Sequence, residues 1–182
     1  MTAIDPTRVT YRDATVADDQ ALYEISLRTF TDTFGALYPV ADLKYYQAMT
    51  FGRDLQQAEI ADPSMRHRLA FHGDDLIGFA RLGAFKLPIA QDGARVVELH
   101  KLYVEREAKG TGVAHELMRW AMDSARGAGA DAIYLGVYQG NDRAQRFYAR
   151  YGFEIVGEYL FPVGQTQDPE YIMRAPLVPA PE

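Results

Sequence analysis

The chain has 182 residues, no cysteine, 48% hydrophobic and 24% charged residues, and a formal net charge of −6. That length fits a single domain over residues 1–182 with one sizeable core, and the composition is that of an ordinary globular protein. The lack of cysteine excludes disulfides, thiolate metal sites and a cysteine nucleophile. The acidic balance argues against a nucleic-acid partner, and no apolar run reaches the roughly 20 residues that span a bilayer.

The first residues, Met1 to Pro6, lack the basic start and apolar core of a secretory signal, so a cytoplasmic location is expected. Val9 to Arg12 reads as a first strand. Thr15 and Asp18 have capping-box spacing, and Leu22, Ile25 and Phe30 continue at helical intervals, predicting a helix from Asp18 to Thr31. Val40 to Met49 and Leu55 to Ala61 read as two more helices, the second stopped by Asp62-Pro63. Arg68 to Phe71 and Leu76 to Phe85 flank His72-Gly73-Asp74-Asp75, which reads as a hairpin turn. Lys86 to Ala94, with Pro88 and Gly93, should be a loop, and Val96 to Val104 the next strand. Val113, Leu117, Met118, Ala121, Met122 and Ala125 mark one face of a helix that Gly127 and Gly129 end. Ile133 to Val137 reads as a strand, and Asn141-Asp142 cap a helix running to Tyr151. Glu154 to Phe161 and Tyr171 to Leu177 are the last strands, and Val178 to Glu182 should fray. The economical architecture is α/β, a mixed sheet with helices on both faces.

Between the strand ending at Val104 and the helix opening at Val113 lies Lys109-Gly110-Thr111-Gly112-Val113-Ala114. Glycines let backbone approach a ligand and adopt positive φ, and a helix N-terminus attracts an anion. Taken alone, such a turn is as readily a plain connection as a phosphate cradle. A dinucleotide fold would place G-x-G-x-x-G near the first strand, and a phosphate loop would end in G-K-[ST]; neither pattern is present.

The flanking residues narrow the choice. Glu98-Leu99-His100-Lys101-Leu102-Tyr103-Val104, the glycine turn, Asn141 through Phe147-Tyr148, and Tyr151-Gly152-Phe153 together resemble the GNAT superfamily of acetyl-CoA-dependent N-acetyltransferases. Gly112 and Ala114 match the last two fixed positions of that family's [RQ]-x-x-G-x-[GA] turn. Lys109 stands where the family has arginine or glutamine, which keeps a cation and loses planar donors. Phe30 to Gly35, Glu158-Tyr159, Asp168 and Met173-Arg174 look like the PaiA-like branch, some of whose members acetylate polyamines such as spermidine.

The resemblance implies a GNAT fold with a mostly antiparallel sheet of about seven strands. It also implies acetyl-CoA as cosubstrate and a small-molecule amine as acceptor, attacking directly in a ternary complex. Cofactor contacts would come from Leu102, Tyr103, Val104, Lys109, Gly110, Thr111, Gly112, Val113, Ala114, Asn141, Ala144, Phe147 and Tyr148. The backbone of Leu102, Tyr103 and Val104 would pair with the pantetheine as an added strand, with the Val104 N–H facing the thioester oxygen. Glu98 occupies the place of a glutamate that helps deprotonate the amine, with His100 as the neighbouring alternative and a surface glutamate as the bland reading. Tyr148 matches the tyrosine that protonates the leaving thiolate; the bland reading is a core aromatic. Arg143 and Arg146 are candidates for the 3′-phosphate. Phe30, Phe34, Tyr38, Tyr45 and Tyr46 are candidate acceptor walls that would hold a cation by cation–π contact. His67, His72, His100 and His115 show no metal-ligand spacing, so no metal is expected. Relatives are often dimers, so a homodimer is in view. An acetyl-CoA-binding sensor with little turnover, or an enzyme acting on a protein N-terminus or lysine, remain open alternatives.

Overall fold

A computed structural model describes residues 4–92 and 95–177. The expected fraying of Val178 to Glu182 and the Gly93-Ala94 end of the predicted loop lie outside those residues. Seven strands form one sheet: β1 (Val9–Asp13), β2 (Arg66–His72), β3 (Asp75–Ala84), β4 (Val96–Val104), β5 (Ala132–Tyr138), β6 (Glu154–Val163) and β7 (Thr166–Pro176). Their spatial order is β1-β2-β3-β4-β5-β7-β6, and every neighbouring pair is antiparallel except β4 and β5. The helices are α1 (Asp19–Phe34), α2 (Val40–Phe51), α3 (Arg53–Ala61), α4 (Val113–Gly127) and α5 (Asp142–Ala149). The predicted α/β sheet with helices on both faces is the one observed.

Period-two alternation explains the two layers of core. Ala70 and Ala80 pack toward Leu117, Met118 and Ala121 of α4, whereas Leu69 and Phe79 pack toward Leu22 and Ile25 of α1. The apolar stripe of α4 is fully used, since Val113, Leu117, Met118, Ala121, Met122 and Ala125 are all buried. Of these, Val113, Leu117, Met118 and Met122 each contribute roughly 1.5–3 kcal/mol on full burial. The helix stops where Gly129 takes φ 69° and its N–H bonds the Arg126 carbonyl at 2.8 Å.

Most boundaries shift by one to three residues from the sequence reading, α1 for instance running on to Phe34, and three departures have an identifiable cause or consequence. The Thr15–Asp18 box opens a 3-10 turn, Val16–Asp18, that leads into α1 instead of starting it directly. The helix opened by Asn141 ends at Ala149, two residues early, and Gly152 with φ 82° closes its turn. The last strand begins at Thr166, five residues before the predicted start. Pro169 hides that strand in the sequence. In the structure its carbonyl accepts the Gln139 N–H at 2.9 Å, so its backbone faces the β5 side beyond the last paired residue of β5. The missing N–H therefore breaks no bond in the β6 ladder.

The feature that positions the site is a divergence in the sheet. β4 and β5 pair only through Val96↔Ala132, Val97↔Ile133 and Glu98↔Tyr134. Beyond Glu98 the two strands part, and the facing edge of β4 is left open.

Candidate active site

The parted strands enclose a cleft of about 460 Å³, within the range of small-molecule sites. One end is the glycine turn. Gly110 and Gly112 adopt φ 89° and 93°, a left-handed conformation that any β-carbon would strain. The first intrahelical bond of α4 runs from the Glu116 N–H to the Gly112 carbonyl at 3.1 Å. The amides of Val113, Ala114 and His115 therefore precede the helix ladder and form, with the helix dipole, a cradle for anionic oxygen. These features fit a pyrophosphate. Lys109, Gly110, Gly112 and Ala114 line the cleft. Thr111 and Val113 do not: the Thr111 hydroxyl donates to the Ala108 carbonyl at 2.7 Å, and the Val113 side chain is core.

The middle of the cleft is the open edge of β4. The Glu105 N–H bonds the Ile77 carbonyl across β3 at 2.9 Å. Strand alternation then turns the Tyr103 backbone toward β3 as well, and presents the backbone groups of Leu102 and Val104 to the cleft. Tyr103 still lines the cleft with its side chain. Opposite stand Asn141, Ala144, Phe147 and Tyr148 of the α5 region. Asn141 caps α5, its Oδ1 accepting the Ala144 N–H at 3.1 Å. Tyr148 packs against Phe147 and Phe153, with ring centroids 5.6 and 5.9 Å apart. Burial, with the charge of Glu170 adding to it, pushes its phenol well above the usual value. It is therefore a protonated donor at any physiological pH, and no protein acceptor takes its hydroxyl among the described residues. Arg143 lines the cleft, whereas Arg146 is exposed away from it.

The far end is aromatic and acidic. Phe30, Phe34, Tyr38, Tyr46 and Phe161 line it; Tyr45, expected among the walls, is 61% exposed and faces away. Three carboxylates, Glu98, Asp168 and Glu170, share this end.

Glu98 is buried, and both its oxygens are engaged. Oε1 lies 3.2 Å from His100 Nδ1, and Oε2 accepts the Lys86 N–H at 2.7 Å. His100 sits in a β-bulge: Arg81 pairs with Lys101 and Leu82 with Leu99, leaving His100 unpaired. The bulge flips the alternation, so Leu99 shares a face with Leu102 and Val104, and Lys101 is sent beneath Phe51. His100 Nε2 contacts the Ala84 carbonyl at 3.0 Å, and because a carbonyl only accepts, that nitrogen is assigned the hydrogen. The contact between Nδ1 and Glu98 is favourable when one proton lies between them.

Asp168 accepts the hydroxyl of Tyr38. Glu170 accepts the Tyr159 hydroxyl at 2.6 Å. Burial pushes the Glu170 carboxyl up to about 7; the Tyr159 hydrogen bond opposes this, and the charges of Asp168 and Glu98 reinforce it. Gly136 of β5 lies directly below, and a β-carbon there would stand 2.6 Å from Glu170 Oε2 and 2.8 Å from the Tyr159 hydroxyl. Sequence reasoning assigned no role to Glu170: it shares a face with Asp168, two residues before it on β7, but Pro169 between them hides the strand that gives them that face.

Comparison with known proteins follows the same outline. The family model described as Acetyltransferase (GNAT) family matches residues 20–153. An uncharacterized N-acetyltransferase of Mycobacterium tuberculosis is 35% identical over 150 residues, covering 80% of this chain and 92% of the relative. An aminoalkylphosphonate N-acetyltransferase of Salmonella typhimurium is 32% identical over 110 residues, 60% of this chain and 68% of that one. Among solved structures, the PaiA N-acetyltransferase of Thermoplasma acidophilum in complex with coenzyme A superposes with a TM-score of 0.76 over 92% of this chain and 98% of that one, at 20% identity, a likeness of fold.

Proposed function

The chain belongs to the GNAT family of acetyltransferases, and we propose that it moves an acetyl group from acetyl-CoA to a small cationic amine by direct attack in a ternary complex. The observation that carries this reading is the divergence of β4 and β5. It opens one continuous cleft from an anion cradle, past two free backbone edges, to a wall of aromatics and carboxylates.

Acetyl-CoA supplies an activated thioester. The chain's own residues supply the rest. The cradle from Lys109 to Ala114 holds the pyrophosphate, with Arg143 available to the 3′-phosphate. Leu102 and Val104 pair with the pantetheine arm, and the Val104 N–H donates to the thioester oxygen as charge develops there. Asn141 caps its helix and bonds the same arm. Tyr148, kept protonated by burial, donates to the sulfur as the C–S bond breaks. Glu98 assists deprotonation of the acceptor, its negative charge drawing in the ammonium and strengthening the base beside it.

The acceptor wall favours an amine with further positive charge, such as a polyamine, because aromatic faces and carboxylates both attract cations. An acceptor bearing its own anion would meet Asp168 and Glu170, so the aminoalkylphosphonate acceptor named for one relative is not carried over. The homodimer is also proposed, on the edge strand β6, which exposes Ile155, Val156 and Leu160; light scattering tests it. The cytoplasm remains the proposed location, on the cysteine-free sequence.

A panel of amines, including spermidine, amino acids and peptides, is incubated with acetyl-CoA and CoA release is followed. Release with polyamines well above that with anionic amines is expected. Tyr148→Phe should lower kcat about 100-fold with little change in stability, since only a hydroxyl without a protein partner is removed. Full turnover in that variant, or no release with any amine, sinks the reading; release only with peptides would favour a macromolecular acceptor.

A further inference from the structure

Three carboxylates face the acceptor end of the cleft, and their hydrogen bonds make them unequal. Glu98 is held at both oxygens, by His100 and by the Lys86 N–H. Asp168 is buried and takes the Tyr38 hydroxyl. Glu170 is only partly buried, and Tyr159 holds one of its oxygens at 2.6 Å. Its second oxygen has no protein donor among the described residues. The missing side chain at Gly136 is what lets this carboxylate and its tyrosine settle over β5.

We propose that Glu170 is the general base of acetyl transfer, taking a proton from the acceptor ammonium directly or through one water while Tyr159 fixes its orientation. This rests on the N-acetyltransferase reading above. In the step, an N–H bond of the acceptor breaks and its proton passes to Glu170. The freed nitrogen pair forms the C–N bond at the thioester carbonyl, the C–S bond breaks, and the sulfur takes its proton from Tyr148. The nitrogen sheds its second proton to solvent as the amide forms, Glu170 releases the proton it took, and Tyr148 recovers one from solvent, so one proton is released overall.

The environment suits that task. A base works best when its proton affinity lies near the working pH, and burial with two neighbouring carboxylates holds Glu170 at about 7. The ionisable groups around it are Tyr38, Tyr46 of α2, Tyr103 of β4, Tyr148 of α5 and Tyr159 of β6, with Glu98 and Asp168 as the charges. Burial pushes all five phenols up, so none of them loses a proton near neutrality. His100, in contact with Glu98, is the other base-type side chain at this end, so its variant serves as the control.

The test is the pH dependence of kcat/KM with the best amine of the panel. The wild type should rise through an inflection near pH 7 as Glu170 ionises. Glu170→Gln keeps an acceptor for Tyr159 and should lower kcat about 100-fold, abolish the inflection and leave CoA affinity unchanged. Glu98→Gln should keep the inflection and move it to lower pH, because the charge that raises Glu170 is gone. Tyr159→Phe should move it upward, since the lost hydrogen bond favoured the anion. A purely structural Glu170 would produce neither opposite shift. Glu170→Gln retaining kcat within about threefold, or the inflection vanishing in Glu98→Gln or His100→Asn instead, overturns the assignment. A wild type that releases no CoA with any amine overturns the acetyltransfer reading itself.

Discussion

Gly136→Ala probes the acidic end of the cleft without removing a charged or reactive group. The added methyl would lie 2.6 Å from Glu170 Oε2 and 2.8 Å from the Tyr159 hydroxyl, well inside van der Waals contact. Both atoms are ends of flexible side chains, so the backbone of β5 can stay in place while they swing away. What is lost is one hydrogen bond to a carboxylate, about 1.5–3 kcal/mol, offset by roughly 0.5–1 kcal/mol from the stiffer unfolded chain. A net loss of about 1–2 kcal/mol should lower Tm by about 2–8 °C for a chain of this size. Turnover should fall further than stability, by roughly 10- to 100-fold, because misplacing a catalytic group by about 1 Å has that effect. Thermal unfolding and steady-state kinetics on the same preparation measure both. If Gly136→Ala keeps wild-type kcat and Tm, the close packing of Glu170 over β5 is not a determinant of the site, and the reasoning fails.

Two further predictions concern stability. Asp18 accepts two bonds from the Arg12 guanidinium, at 2.6 and 2.8 Å, and one from the Thr15 N–H at 2.7 Å, which hold its carboxyl at about 2. A folded value below the unfolded one means its stabilisation is present above about pH 4 and lost as pH falls toward 2. Asp18→Ala should therefore cost about 1–2 kcal/mol at pH 7, discounted because Arg12 is half exposed, and the deficit should shrink in melts below pH 4; a deficit constant with pH would refute it. Lys101 Nζ is buried 4.4 Å from the Phe51 ring centre, with no protein acceptor among the described residues. Burial, helped by the Arg81 charge, pushes the amine down, so the unfolded state binds the extra proton and stability rises with pH toward the free-lysine value. Lys101→Met should match or exceed wild-type Tm at pH 7 and lack the gain the wild type shows by pH 9; a variant melting more than about 4 °C lower would show that the amine is paired.

The elements legible in the sequence were those with one dominant local cause. The six-residue apolar stripe of α4 and the turn at Gly110 and Gly112 follow from helical periodicity and from the need for positive φ, and both stand where they were expected. A bulge in this strand is what the family resemblance implies, but its place at His100 was not legible, because nothing in Leu99-His100-Lys101 marks an extra residue; the pairing with β3 locates it. The start of β7 was hidden by Pro169, whose missing N–H is harmless only because β5 has ended beside it. Tyr45 and Tyr46 are neighbours of the same type, and the rotation of α2 against α1 decides that Tyr46 lines the cleft while Tyr45 meets solvent. Glu170 was overlooked for a related reason: its character comes from Tyr159 on β6, Glu98 on β4 and Gly136 on β5, distant in the chain and joined only by the sheet.

The strand order also bears on how the chain is made. β7 is the last of the seven strands in chain order, yet it sits between β5 and β6. Until Thr166 to Pro176 has left the ribosome, the outer edge of β5 is unpaired and β6, with Ile155, Val156 and Leu160 facing outward, has no neighbour to hold it. Nascent chains therefore pass through a stage with open strand edges and apolar surface, the combination that chaperones retain and that drives aggregation. Asp168 and Glu170 arrive on that same late strand. A chain that ends before Thr166 loses Asp168, Glu170 and the strand that joins β5 to β6 together, so truncation there leaves an insoluble product instead of an inactive but folded one.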